Sequence, residues 1–395
     1  MKPLKPSTLL LGFAAGMSPF GMAIVVPTLE LFAQEFQAPY STIQFIISAY
    51  LFGLASAQPI VGFLSDRIGR RPVMISGIFL FIFASIMCLV TDNLNTLIAF
   101  RFLQGMGGSV GTVMARAMIR DSMSSGDSAK PLSRVTAVMG MAPMIAPVVG
   151  AFAISLFGDP RSIFIVTLII GVIILIPVLF RLPETRKAEH IGSMSNELWH
   201  HKYRYLLSSK VFLGSTFIYG FTTGSFFAIL AVGSTVFSND LGINSTGFGL
   251  IWSSMTILYA SAAFLSGNLS TKIGLMSVMR IGMLLNLLSG VMFFTFIAIF
   301  GVTLFSIITP LVIMFFAHGF IVPTSMTKAV SDRPEIAGSS SGLSSALGLV
   351  TGGLFSILSG AVYAGSFLPI SFIVMASTIM CSLSYSLIKW GEKSN

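Results

Sequence analysis

Apolar runs of about 20 residues, separated by short charged turns, recur from one end of the chain to the other. A bilayer core of roughly 30 Å takes about 20 apolar residues per helix. Twelve runs reach that length, at about 8–28, 42–64, 72–91, 94–117, 133–157 and 161–182 in the first half. In the second half they lie at about 211–236, 246–267, 275–299, 302–325, 337–362 and 366–389. The pattern predicts an all-α membrane protein of twelve spans. The first run has no small-residue cleavage site before the next charged stretch, so it reads as a retained helix, not a signal peptide.

The longest polar stretch, 183–210, divides the chain into an N-terminal bundle at 1–182 and a C-terminal bundle at 211–395. It mixes Arg186, Lys187, Lys202 and Arg204 with Leu198, Trp199, Tyr203, Tyr205, Leu206 and Leu207, which suits a short amphipathic helix on the membrane face. His200 and His201 are adjacent and point to different sides of such a helix, so they read as solvated residues and not as metal ligands.

An internal repeat supports the count. Residues 62–74, GFLSDRIGRRPVM, align with 267–279, GNLSTKIGLMSVM, and share Gly62/Gly267, Leu64/Leu269, Ser65/Ser270, Ile68/Ile273, Gly69/Gly274, Val73/Val278 and Met74/Met279. Each copy lies between the second and third run of its half. Two six-helix halves in the same orientation imply parallel, pseudo-symmetric repeats with a cavity at their interface.

Composition narrows the class. Hydrophobic residues make up 54% and charged residues 9%, against about 25% charged in a soluble domain, so most of the outer surface cannot face water. That excludes a soluble enzyme. Cys88 and Cys381 are the only cysteines and both sit in apolar runs, which excludes a disulfide scaffold. The net charge of +9 follows from topology, not from a nucleic-acid partner: with the N-terminus inside, all of the 23 basic residues but Arg101 and Arg161 fall at the cytoplasmic side. The outer loops carry Glu30, Glu35, Asp92, Asp159 and Asp240. Both termini are therefore expected in the cytoplasm. No Walker loop is present, so ATP is not expected to drive the protein, and no cofactor is implied.

The stretch GFLSDRIGRRPVM resembles the loop signature (motif A) of the major facilitator superfamily. SAYLFGLASAQPIVGFLSDRIGRRPV, AFRFLQGMGGSVGTVMARAMIRD and MAPMIAPVVGA look like the Bcr/CflA-type drug-efflux branch, and HGFIVPTSMTKA with AGSSSGLSSALG is similar to it in helices 10 and 11. The resemblance spans nearly the whole chain. It implies a proton-coupled exporter of small molecules that works by alternating access in the bacterial inner membrane, and we expect it to act as a monomer.

Each motif also has a physical reading. Gly62 and Gly69 allow a tight turn and close helix approach. Asp66 sits beside Arg67, Arg70 and Arg71, and its charge suits the N-terminus of helix 11 near Ala337 and Gly338, where Arg116 or Arg120 would add an ion pair. This cluster is expected to lock the cytoplasmic side, although Arg70 and Arg71 serve equally as topology signals. Arg101, about seven residues into helix 4, either faces a cavity or partner with Gln104 one turn on, or snorkels to the outer interface. The family's motif B gives such an arginine a part in coupling protons to substrate movement. Gly140, Pro143, Pro147 and Gly150 in helix 5 resemble the antiporter signature (motif C), and the same residues would serve a plain structural kink. Ala146 and Ala151 stand where that motif usually has glycine.

One departure bears on mechanism. Exporters of this kind usually carry a carboxylate in helix 1; aligned on Pro27, that place is Ala23, and no acid occurs between Met1 and Val26. Candidate proton carriers are then Glu30, His318 and Asp121, with His318 equally suited to a structural hydrogen bond. Neutral, zwitterionic or anionic substrates are expected. The resemblance puts the cavity among helices 1, 4, 7 and 10, with Tyr50, Gln58, Gln104, Tyr219, Phe221, Phe226, Phe227 and Trp252 as lining candidates, each phenylalanine being as well suited to packing.

Overall fold

A computed structural model gives the fold. It describes residues 6–25, 28–38, 40–43, 45–123, 125–186, 198–243, 245–363 and 365–394. Among them there is no strand and there are twelve long helices. These are α1 (Thr8–Ala23), α2 (Phe45–Ile68), α3 (Arg70–Val90), α4 (Leu94–Ser122), α5 (Ser125–Phe157) and α6 (Ser162–Arg181). They continue as α7 (Lys210–Asn239), α8 (Ser245–Ile273), α9 (Leu275–Phe300), α10 (Leu304–Ser331), α11 (Ala337–Val362) and α12 (Leu368–Ser394).

Ten of the twelve are long and apolar enough to cross a bilayer by themselves. The exceptions are instructive. Helix α4 has 29 residues, but Arg101, Gln104, Arg116, Arg120 and Asp121 dilute its apolar character. It tolerates them because it is buried along almost its whole length, packed against α1, α2 and α3, and shows lipid very little of itself. Helix α1 stops at Ala23, short of the expected end near residue 28, and a separate short helix follows at Leu29–Glu35.

The chain forms two compact units. One comprises Met1–Met123, Val138–Lys202 and Pro334–Leu343; the other comprises Ser124–Ala137, Tyr203–Arg333 and Ser344–Asn395. The first stretch of α5 thus clusters with the C-terminal helices, and the first turns of α11 with the N-terminal ones.

The internal repeat is visible in the packing of each unit. In the first, α4 is the hub for α1, α2 and α3, and α3 packs on α6. In the second, α10 is the hub for α7, α8 and α9, and α9 packs on α12. The equivalent helices α1, α4, α7 and α10 each begin on a side-chain cap, supplied by Ser7, Asn93, Ser209 and Thr303, which satisfies a backbone N–H that lipid could not. Gly69 and Gly274, one repeat apart, break α2 from α3 and α8 from α9 with φ of 106° and 85°, a conformation that a side chain would strain.

Candidate functional site

The Asp66 cluster lies at the end of α2. Asp66 is 1% exposed. Its Oδ1 accepts from the Gly338 backbone N–H (3.0 Å), and its Oδ2 accepts from the Ser339 N–H (2.8 Å) and the Ser339 hydroxyl. The carboxylate therefore caps α11 with two of the N–H groups that a helix leaves unpaired at its start. Gly62, one turn earlier, is what lets the backbones meet: a Cβ there would fall 2.4 Å from the Gly338 carbonyl oxygen.

Arg70 supplies the counter-charge. Its guanidinium pairs with Asp66, donates from Nη1 to the Ser65 hydroxyl (3.0 Å) and donates from Nε to Asp121 Oδ2 (2.9 Å). Arg120, expected at Asp66, instead donates from Nη1 to the Met123 carbonyl (3.0 Å), because its position near the end of α4 turns it to that helix's own C-terminus. Arg116 is buried, at 4% exposed. Asp121, read from sequence as a coupling candidate, belongs to this cluster through Arg70. Arg67 is exposed, and its carbonyl accepts from Arg186 Nη1 (2.7 Å). Arg71 donates from Nη2 to the Leu179 carbonyl (2.6 Å).

Sequence reasoning missed Glu184. Its carboxylate accepts from the backbone N–H groups of Arg70 (3.0 Å) and Arg71 (3.1 Å), capping α3 from a point just past α6. A carboxylate three residues after the basic end of a span was the available signal. Lys202 was also missed as a member of the site. The linker helix, Trp199–Ser208, buries it with its ammonium 5.0 Å from the Phe63 ring centre, and desolvation holds its pKa below the usual lysine value.

Arg101 occupies the interior of the same unit at 0% exposed, which removes the snorkelling reading. It donates from Nε to the Ile46 carbonyl (3.2 Å), from Nη2 to the Gly21 carbonyl (3.1 Å) and from Nη1 to Gln104 Oε1. Its guanidinium lies 4.3 Å from the Tyr50 ring centre, and the Tyr50 hydroxyl donates to the Ser18 carbonyl (2.9 Å). Gln104 is held in turn: its Nε2 donates to the hydroxyls of Ser85 (2.7 Å) and Thr167 (3.2 Å). Gly21 is in the last turn of α1, so Arg101 caps that helix's C-terminus. Among the described residues no carboxylate pairs with Arg101.

The second unit holds a polar group and an aromatic one. His318 is 3% exposed, with Nε2 3.2 Å from Asn286 Oδ1 and 3.3 Å from the Ser225 hydroxyl. Phe226 meets Phe227 (ring centres 5.3 Å), Trp252 (5.3 Å) and Phe315 (5.7 Å), and Trp252 meets Phe315 edge-on at 5.2 Å. Phe315 was not among the sequence candidates; it lies one turn before His318 on α10. Phe221 packs on Phe355 at 6.2 Å, and Tyr219 crowds Gly348.

The profile of the Major Facilitator Superfamily matches residues 11–356. The chain belongs to the Major Facilitator Superfamily. It is 29% identical over 382 residues to an uncharacterized MFS-type transporter, YdgK, of Bacillus subtilis, covering 95% of this chain and 93% of the relative. It is 24% identical over 377 residues to a bicyclomycin resistance protein homolog of Haemophilus influenzae, covering 95% and 94%. Its fold is similar to that of the human organic anion transporter MFSD10 (TM-score 0.74, 16% identity, 96% of this chain and 98% of that one). The proton:xylose symporter XylE is likewise similar (TM-score 0.78, 16% identity, 95% and 93%).

As a superfamily member the protein is a multi-pass membrane transporter and not an enzyme, and it binds small-molecule substrates. The remaining sequence candidates fall as follows. Helix α5 runs through Pro143 and Pro147 without a break in assignment; both are half-buried, as is Gly140, while Gly150 is buried. Pro147 has no N–H to give the Pro143 carbonyl, so the ladder lacks a bond there. Gln58 is buried, and among the described residues its Oε1 has no hydrogen-bond partner. The side chain of Glu30 lies outside the described residues. An apolar recess of about 510 Å³ is bounded by α1, α5 and α6, with Phe13, Met17, Met141, Ile145 and Ile173 in its wall and none of the predicted lining residues.

Proposed function

We propose that the protein is a proton-coupled exporter of small organic molecules in a bacterial inner membrane, with both termini cytoplasmic and the monomer as its working form. Residues 1–182 and 211–395 act as the two moving bundles and 183–210 as their cytoplasmic linker. The observation that carries the mechanism is the burial of Asp66 against the first turn of α11, with Arg70 and Asp121 behind it. A carboxylate removed from water and joined to a helix start by two backbone N–H groups is a two-state element: docked, it holds the cytoplasmic ends together, and withdrawn, it must be hydrated again. Export is supported by the relatives called bicyclomycin resistance protein homolog and multidrug resistance protein MdtL, the latter from Shigella dysenteriae, 35% identical over 175 residues, or 44% of each chain.

Reconstituted vesicles with an imposed pH gradient, screened against a chemical panel, test this reading. Accumulation by counter-flow that depends on the gradient is the expected result; movement indifferent to pH overturns the proton-coupled form.

A second reading, a specific metabolite or siderophore carrier or a facilitator without carboxylate-based proton coupling, is favoured by one observation. Every hydrogen-bond acceptor around Arg101 is neutral among the described residues. Of the coupling candidates, Asp121 is engaged by Arg70 and His318 by Asn286 and Ser225, which leaves Glu30.

A further inference from the structure

The apolar recess bounded by α1, α5 and α6 lies wholly within the first unit and has no part in the mechanism above. Helices α1 and α5 run side by side there. A Cβ at Gly12 would fall 3.3 Å from Val138, and one at Gly16, a turn later, 3.8 Å from Ala142. The wall follows Leu10 to Phe20 on α1, Val138 to Ile145 on α5 and Ile170 to Pro177 on α6. At about 1.5 Å per residue this makes a trough roughly 10–15 Å long that follows the helix axes. Phe13, Met141, Ile145 and Ile173 are 45–63% exposed along it, so the trough is open on a side that presents only apolar groups. In a membrane protein that side faces lipid.

No polar side chain stands in the wall among the described residues, so nothing there can orient a solute by hydrogen bonds. A volume of about 510 Å³ is ligand-sized, and left empty it would deprive its lining of dispersion contacts. A flexible apolar chain is the chemistry that fits. The surrounding hydrocarbon is as apolar as these side chains, so filling the trough does not by itself distinguish one lipid from another. That choice falls to the group at its end.

Arg181 is that group. It is the last residue of α6, four past Pro177 and seven past Ile174, and so continues the face that lines the recess. It is exposed, and among the described residues no carboxylate pairs with it. Glu184, three residues on, is turned instead onto the backbone N–H groups of Arg70 and Arg71. A topology signal needs such a charge at the end of a span, but not its place on the face of an apolar trough.

We propose that the recess seats one acyl chain of an anionic phospholipid, with the lipid phosphate on the Arg181 guanidinium. The chain lies along the spans, as bilayer chains do, and the planar guanidinium offers the phosphate paired N–H donors. One arginine at the membrane surface favours an anionic lipid over a neutral one with the same chains by about 5-fold. The proposal needs only the membrane embedding of the protein and is independent of its substrate and coupling.

The test uses the full-length protein in proteoliposomes holding a phosphatidylglycerol or a phosphatidylcholine with the same chains, one of which carries a diazirine. After photolysis, adducts are located by mass spectrometry on the recess wall and, as a control, at the exposed apolar residues Leu284 and Leu288 of α9. Wall adducts from phosphatidylglycerol are expected to exceed those from phosphatidylcholine by about 5-fold, with no such preference at the control residues. Arg181→Gln is expected to bring the wall ratio to about 1 and Arg181→Lys to keep most of it. Ile173→Trp, which sets a larger side chain in the mouth, should lower wall adducts from both lipids. Salt at about 1 M should narrow the wild-type ratio whether or not the variants fold. Equal labelling of the wall by the two lipids in the wild type, or a ratio that both Arg181→Gln and salt leave unchanged, overturns the proposal. So do wall adducts from a diazirine-bearing hexadecane that excess phosphatidylglycerol does not reduce, which would make the recess a site for apolar solutes.

Discussion

Asp66 and Ser339 are joined twice, once through the Ser339 backbone N–H at 2.8 Å and once through its hydroxyl. The pair spans the end of α2 and the start of α11. Replacing Asp66 by Asn removes the charge that Arg70 needs and sets an amide N–H₂ against groups that are themselves donors. Breaking a buried pair in this way costs about 3–5 kcal/mol, so Asp66→Asn is expected to lower the melting temperature in detergent and to shift accessibility of cysteines introduced beside the α2–α11 contact toward the open state. Wild-type transport and accessibility in this variant would sink the lock.

Gly62 and Gly267 are one repeat apart, and so are their neighbours Gly338 and Ser133. The two approaches differ in what stands opposite. A Cβ at 62 would meet the Gly338 carbonyl oxygen at 2.4 Å, while one at 267 would meet the Ser133 Cβ at 2.8 Å and the Lys130 Cα at 3.0 Å. Gly62→Ala must therefore push helix backbones apart at the point where Asp66 docks, and it is expected to cost about 1–3 kcal/mol and to slow transport more than Gly267→Ala. Equal effects, read by initial transport rates and thermal unfolding, would show that the Asp66 side of the repeat has no special part.

Glu35 pairs with Arg161 at 2.5 Å, and Asp92 accepts from the same Arg161 nitrogen at 3.0 Å. Burial raises the Glu35 pKa above the ordinary glutamate value, and Arg161 offsets this only in part; Asp159 and Asp92 push it further up. The folded state then holds this proton more tightly than the unfolded chain does. Its contribution to stability is full below the ordinary glutamate pKa, near 4.3, and declines as pH rises through the raised folded value. Comparing melting temperature against pH for wild type and Glu35→Gln checks this: the wild-type curve should fall relative to the variant from about pH 4 upward. A difference of the opposite sign would show that the Arg161 ion pair outweighs burial.

His318 faces Asn286 and Ser225 and no carboxylate among the described residues. His318→Asn is expected to weaken the protein by about 1–2 kcal/mol, the cost of losing a buried hydrogen bond, and to leave the pH dependence of counter-flow as it is in the wild type. Counter-flow that survives but loses its response to the pH gradient would make His318 the proton carrier.

The segments and their number were legible because lipid imposes a local rule. A span must be long, apolar and internally hydrogen-bonded, and each of these properties is written in consecutive residues. The repeat at 62–74 and 267–279 was legible for a similar reason: a tight turn between two helices needs glycine at a set place, and both copies keep it. The sequence by itself thus determined the class of protein, its twelve helices and the neighbourhood of Asp66. Tertiary structure decided the partners. That Arg70 and not Arg120 faces Asp66, that Glu184 caps α3 across 114 positions of sequence, and that Arg101 takes the Gly21 carbonyl all depend on contacts between distant segments. A charge inside a membrane protein must find partners wherever the fold brings them, and no periodicity along the chain records which carbonyl or carboxylate will be there.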